Sequence, residues 1–240
     1  MKVFLLIGQS NMAGPQISRP SEKDDKRLSG VFLLNEEDSW ELATNPLNKY
    51  STIRQKEYTP GMSPGVTFAE TLKRTLKNEK IGLVCNARGS SKIAEWQKGG
   101  EFFNEAVRRA KKACKFNKLA GVLWLQGEQD VIEKEDYKNY AKKFSAFIKD
   151  LREALGDENL PFIMGEIWGN ASLAKEEWQK GIRAVNKQIR LVNKETSNTA
   201  LIRTKGAEHV KEDLVHFSPK GMRTIGRRYA KAFIKNWLPE

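Results

Sequence analysis

Four short polar stretches, far apart along a chain of 240 residues, hold the side chains best suited to acid, base or nucleophilic chemistry. The first is Gly8-Gln9-Ser10-Asn11-Met12, which ends the apolar run Val3 to Ile7. That run reads as a strand buried on both faces. A glycine permits a sharp turn, and a serine just beyond it is presented where open α/β sheets place their ligands, which suits a nucleophile. The alternative is that Ser10 or Asn11 caps the helix that follows. The second stretch is Asp213-Leu214-Val215-His216, with one of only two histidines. This spacing lets a carboxylate reach the imidazole Nδ1–H while Nε2 faces a nucleophile from another strand. The third is Gln126-Gly127-Glu128-Gln129-Asp130, directly after the apolar Leu119 to Leu125. Polar groups bunched behind such a strand are costly to bury without partners, so their position points to a site. Asp130 there caps the next helix or anchors the loop. The fourth is Ala87-Arg88-Gly89-Ser90-Ser91, where a glycine at a strand end exposes an N–H suited to a developing oxyanion or simply makes a turn.

The elements that must position these residues follow from periodicity. Strand-like runs cover Lys2 to Ile7, Val31 to Asn35, Ile81 to Asn86, Leu119 to Leu125, Leu160 to Ile167 and Thr199 to Arg203. Helices are predicted after Gly61-Met62-Ser63-Pro64-Gly65, around 101 to 115, over Lys134 to Leu155, over 172 to 195, and from Ser218-Pro219 to the C-terminus. Ile17 to Leu28 reads as a polar surface loop, and Trp40 to Leu47 as irregular chain. The alternation predicts an α/β fold: a three-layer sandwich with a five-stranded, mostly parallel sheet and right-handed crossovers. One domain is expected over residues 1–240, with the Ser10 strand central, near the switch in strand order. Trp168, after the Leu160 run, packs or lines a pocket.

Apolar residues make up 39% and charged residues 30%, which excludes a disordered chain, and the apolar runs are strand-sized, so no membrane span is expected. Met1-Lys2 passes straight into Val3, so no leader and a cytoplasmic location are expected. Cys85 and Cys114 have no metal-like spacing and read as reduced thiols, and no metal or cofactor is called for. The net charge of +12 raises the possibility of a non-catalytic binder of acidic glycan or nucleic acid. Its densest cluster is Arg108, Arg109, Lys111, Lys112 and Lys115, opposite Phe102, Phe103, Ala106, Val107, Ala110 and Cys114. That pattern is an amphipathic helix with a solvated basic face, so a nucleic-acid partner is not expected.

Gly8 to Gly14, the Arg88-Gly89-Ser90 block, Trp124-x-Gln126-Gly127-Glu128-x-Asp130 and Asp213-x-x-His216 occur in the order found in the SGNH (GDSL-like) hydrolases. The chain most resembles their sialate O-acetylesterase and acetylxylan esterase branch, carbohydrate esterase family six, over nearly its whole length. The resemblance implies a flavodoxin-like SGNH fold and a serine esterase that removes acetyl groups from carbohydrates such as acetylxylan, acetylated oligosaccharide or sialic acid. A general short-chain esterase or thioesterase is the alternative. The resemblance casts Ser10 as nucleophile and His216 as base. Asp213 orients the histidine, with Glu128 its competitor for that place. The N–H groups of Ser10 and of Gly89, or Ser90 beside it, and the Gln126 side chain form the oxyanion hole. Gln9, Asn11 and Trp168 are expected to line the substrate site.

Overall fold

Lys2–Gly8 (β1) lies at the middle of a seven-stranded sheet whose other members are Val31–Leu34 (β2), Trp40–Leu42 (β3), Ile81–Cys85 (β4), Lys118–Leu125 (β5), Phe162–Gly165 (β6) and Thr199–Ile202 (β7). The computed structural model describes every residue except Lys23, Asp25, Lys26, Ala171, Pro239 and Glu240. Strand order is β3-β2-β4-β1-β5-β6-β7, all neighbours parallel except β2 and β3. Seven strands replace the expected five. The irregular chain at Trp40 is in fact β3, which pairs Trp40 with Leu34 and Leu42 with Phe32. Three partly exposed residues show no alternation; what makes them a strand is the turn before them, where Asn35 Oδ1 accepts the N–H groups of Glu37 and Ser39.

The side chains of β1 divide the core in two. Val3, Leu5 and Ile7 pack into one cluster and Phe4 and Leu6 into the other, as the two-residue period of a strand requires. The first cluster is closed by Glu101–Ala113 (α3), Lys134–Leu155 (α4) and Glu176–Glu195 (α5), through Phe103, Phe144, Phe147, Val185 and Ile189. The second is closed by Gly65–Thr75 (α2) and Pro219–Trp237 (α6), through Phe68, Leu72, Ile225 and Tyr229. The result is three layers, α/β/α. α6 starts as its sequence dictates: Pro219 is its first residue, and the Ser218 hydroxyl accepts the Gly221 N–H at 3.2 Å. Because α2 and α3 cover opposite faces, the chain crosses over β1 between β4 and β5, and the crevice at the carboxyl end of β1 lies at that switch.

The basic helix departs from its simple reading at one residue. Arg109 is fully buried, and its guanidinium donates to Leu34 O at 2.9 Å and Asn35 O at 3.0 Å, with Asp38 Oδ1 at 3.4 Å. It is a brace under the β2–β3 turn, not part of a solvated face. In the 17–28 loop, Ser18 and Asp24 are buried rather than on the surface, and Lys23, Asp25 and Lys26 lie outside the described residues. Cys85 and Cys114 are free, with burial pushing their thiols up to about 12 and about 11. Among the described residues, no helix is long and apolar enough to cross a membrane.

Candidate active site

β1 ends at Gly8, whose φ of +134° bends the chain against the end of β5. A Cβ there would sit 2.2 Å from Leu125 O, so only glycine fits. Gln9 N then donates to Leu125 O at 2.9 Å, and Ser10 opens the single turn Ser10–Ala13 (α1) at the strand's carboxyl end.

The Asp213 turn meets Ser10 from the far end of the chain. Asp213 Oδ1 accepts the N–H groups of Val215 at 2.8 Å and His216 at 2.6 Å, and Oδ2 lies 3.0 Å from His216 Nδ1. His216 Nε2 lies 3.0 Å from Ser10 Oγ. Partial burial of Asp213 would by itself raise its pKa, but the two N–H groups and the imidazole outweigh it and hold the carboxyl below the usual carboxylate range. An ionised carboxylate on Nδ1 puts the proton there and leaves Nε2 free to accept one from the serine.

In front of Ser10 opens a cavity of about 540 Å³. His216, Asp213, Gly89 and Ser90 line it beside the serine, and its outer wall comes from segments 13–19 and 54–60. Gly89 has an ordinary φ, and a Cβ on it would lie 3.6 Å from Gln55 Oε1 and 4.0 Å from Ser10 Cβ. Ser90 beside it has a φ of +57°. The backbone N–H groups of Ser10, Gly89 and Ser90 donate to no acceptor among the described residues.

Four expected site residues lie elsewhere. Gln126 is fully buried and lines no part of the cavity. Its amide nitrogen, with two hydrogens, faces three acceptors: Asp130 Oδ2 at 2.5 Å, Ser91 O at 2.7 Å and Gln9 Oε1 at 3.2 Å. No hydrogen is left for an oxyanion, so that expectation is corrected. Gln9 is also buried and turned inward, its Oε1 accepting the N–H groups of Gly127 and Gln129. Asn11, fully buried, bonds to Glu128 and to the backbone around His216. Trp168 packs against the core under the Lys205 ammonium, 5.3 Å from its ring. Neither Gln9, Asn11 nor Trp168 lines the cavity. Glu128, 4% exposed, makes its side-chain bond with Asn11 and none with His216, so it does not hold the place on Nδ1. Asp130 anchors its loop instead of capping α4, accepting the Ile93 N–H at 3.1 Å, and burial pushes its carboxyl up to about 6.

Sequence reasoning missed the outer wall. Among the described residues Arg54 is bound by carbonyls, with Nε on Lys49 O at 3.2 Å and Nη1 on Lys56 O at 3.2 Å. Arg19, on the facing segment, has no hydrogen bond or ion pair among the described residues. Among the described residues the cavity's one carboxylate is Asp213, already engaged. Two unneutralised guanidinium groups on one pocket are legible only once both loops are brought together, since neither sits in a motif. Among the described residues, no group of three His, Cys, Asp or Glu side chains comes together to hold a metal.

A mostly parallel sheet with a serine at the end of its central strand and an Asp-x-x-His turn closing over it is the arrangement that the resemblance to SGNH hydrolases implies. Residues 1–235 match the family described as "Carbohydrate esterase, sialic acid-specific acetylesterase", and the chain belongs to it. It is thus a carbohydrate esterase. A relative from Arabidopsis thaliana, named "Probable carbohydrate esterase", is 28% identical over 98% of this chain and 91% of its own length. The X-ray structure of an Arabidopsis thaliana protein superposes with a TM-score of 0.86 at 27% identity, over 98% of each chain. The fold is shared with NanS, TM-score 0.76 at 16% identity over 98% and 97% of the two chains. It is shared too with a carbohydrate acetylesterase from Xanthomonas citri, TM-score 0.68 at 20% identity, covering 97% of this chain and 56% of that one.

Proposed function

We propose that this chain is a serine esterase that removes O-acetyl groups from a sugar bearing a carboxylate, of the sialic-acid kind. The observation that carries the serine mechanism is the continuous line Ser10 Oγ, His216 Nε2, His216 Nδ1, Asp213 Oδ2, with 3.0 Å at both hydrogen bonds. In the first step Ser10 Oγ attacks the acetyl carbonyl while His216 takes the serine proton. The negative oxygen then sits toward the N–H groups of Ser10 and of Gly89, or Ser90 beside it, which line the cavity and have no acceptor among the described residues. Collapse expels the sugar hydroxyl, which receives the proton back from His216, and leaves acetyl-Ser10. Water, deprotonated by the same imidazole, hydrolyses that ester and restores the free serine. Asp213 stays ionised throughout and stabilises the imidazolium of both steps.

The acidic substrate is supported by Arg19 and Arg54, two cations on a pocket where Asp213 is the one carboxylate among the described residues and is already engaged, and by the family's description. The test is release of acetate from O-acetylated sialic acid and from acetylated xylo-oligosaccharide, by the native protein and by Ser10→Ala. Turnover of the sialic acid ester that vanishes in Ser10→Ala is the expected result. Preference for the neutral oligosaccharide would overturn the acidic-sugar reading, and equal turnover by both proteins would overturn the serine mechanism.

A further inference from the structure

Two polar side chains of the site region take no part in that mechanism, yet both are almost wholly buried: Asn11, fully enclosed, and Glu128, 4% exposed. Asn11 is the residue after the nucleophile, on the same single turn α1. Its Nδ2 donates to Glu128 Oε1 at 2.7 Å and to Val215 O at 3.1 Å, and its Oδ1 accepts the Phe217 N–H at 3.3 Å. Val215 and Phe217 are the neighbours of His216 in sequence, 204 and 206 residues from Asn11. One amide thereby grips the backbone on both sides of the histidine. Among the described residues Glu128 Oε2 is buried without a partner, and the hydrogen bond its side chain makes to another residue goes to that amide.

We propose that Asn11, held in its orientation by Glu128, is a positioning residue that fixes the His216 backbone relative to Ser10. The carboxyl of Glu128 decides which end of the Asn11 amide faces which backbone group. With Nδ2 donating to Glu128 Oε1, Oδ1 faces Phe217 N–H and Nδ2 faces Val215 O; the flipped amide would set donor against donor and acceptor against acceptor at those two backbone groups. Asp213 Oδ1 holds the same turn from its other side through the N–H groups of Val215 and His216. Fixing the turn from two sides is what keeps Nε2 within reach of Ser10 Oγ, and misplacing a reacting group by about 1 Å costs on the order of 10²-fold in rate. Glu128 thus works through its acceptor oxygen. Burial already raises its pKa, so its charge is costly there and a neutral amide of the same shape can take over the contact.

This inference rests on the esterase reading for its rate effects, so it is tested with one readout that does not. Asn11→Asp keeps the shape and the acceptor but loses the donor to Val215 O and to Glu128. With only two histidines in the chain, the ring signals of His216 can be followed by ¹⁵N-histidine NMR. Asn11→Asp is expected to shift the His216 Nδ1–H signal and speed its exchange. Its kcat for the acetyl ester is expected to fall ~10- to 100-fold with KM within about threefold. Glu128→Ala is expected to lose kcat in the same way, and Glu128→Gln to recover most of that loss with an unchanged pH profile. An unmoved His216 signal in Asn11→Asp overturns the proposal whatever the rates do. Glu128→Gln falling as far as Glu128→Ala, with a displaced acid limb of kcat/KM, also overturns it, because Glu128 would then act by charge. A native protein without turnover, but with the NMR shift in Asn11→Asp, sinks the esterase reading and leaves this one standing.

Discussion

Behind Ser10, toward the sheet, Gln9, Gln126, Asp130 and Ser91 are all at least nine-tenths buried and bonded to one another. In front of it, Ile17 and Tyr58 are 52% and 55% exposed; among the described residues Arg54 of the wall bonds to backbone carbonyls and Arg19 to no group. The rear is a closed polar network that fixes the reacting groups. The front is an open surface that can change without disturbing them. A buried polar group without its partner costs ~1–3 kcal/mol, so the rear tolerates little, whereas surface positions of the front carry changes within about 0.5 kcal/mol. The rear therefore supports the serine through buried hydrogen bonds, and the outer wall of the cavity is where side chains can vary.

The sharpest way to break that division is at the boundary. Ser10→Ala should lower acetyl-ester turnover by at least ~10³-fold while leaving the urea midpoint nearly unchanged, read by initial rates and equilibrium unfolding. Next in size is Gln126→Leu, which leaves Asp130, Ser91 O and Gln9 Oε1 without their shared donor. It should cost about 2–4 kcal/mol of stability, and a native-like urea midpoint would show the rear network to be dispensable.

Acid titration separates two carboxylates of opposite habit. Asp213 is held below its ordinary value in the folded chain, so its contribution is present at neutral pH and is lost as pH falls through that depressed value. Asp130 runs the other way. With its folded pKa near 6 against an ordinary 3.8, its protonated form is favoured by folding, so stability from this group is fullest below about 3.8 and declines as pH rises to about 6. Asp130→Asn should flatten the stability profile between those two values, measured by urea unfolding at stepped pH; an unchanged slope would mean that Asp130 is not the group responsible. The smallest effect is expected at the front, where Arg19→Ala should leave stability unchanged and raise KM for an acidic sugar ester by about 3- to 10-fold, with little change for a neutral ester.

Much of this architecture is legible in the residue order. The unbroken apolar run Val3 to Ile7, the three-and-four spacing of Tyr140, Phe144, Phe147, Ile148 and Leu151, and the Ser218-Pro219 start of α6 are local patterns, and each yields the expected element. β3 escaped because its three residues owe their strand to a turn and a partner. Arg109 escaped because a basic residue on a helix reads as solvated unless the carbonyls of Leu34 and Asn35 are known to be waiting above it.

The same divide runs through the site. Residue types, their order and the resemblance to SGNH hydrolases together brought Ser10, Asp213 and His216 forward, with Glu128 left as the competitor for the place of Asp213. The sequence by itself could not say which way an amide or a carboxyl turns, since that depends on partners more than a hundred positions distant. Only the tertiary structure turned Gln126 toward Asp130 and Ser91, set Asn11 between Glu128 and the His216 backbone, and brought Arg19 and Arg54 onto one cavity. The physical reason is that a buried donor or acceptor goes to whichever complementary group the fold brings within about 3 Å, and chain connectivity places no limit on how far along the sequence that group lies.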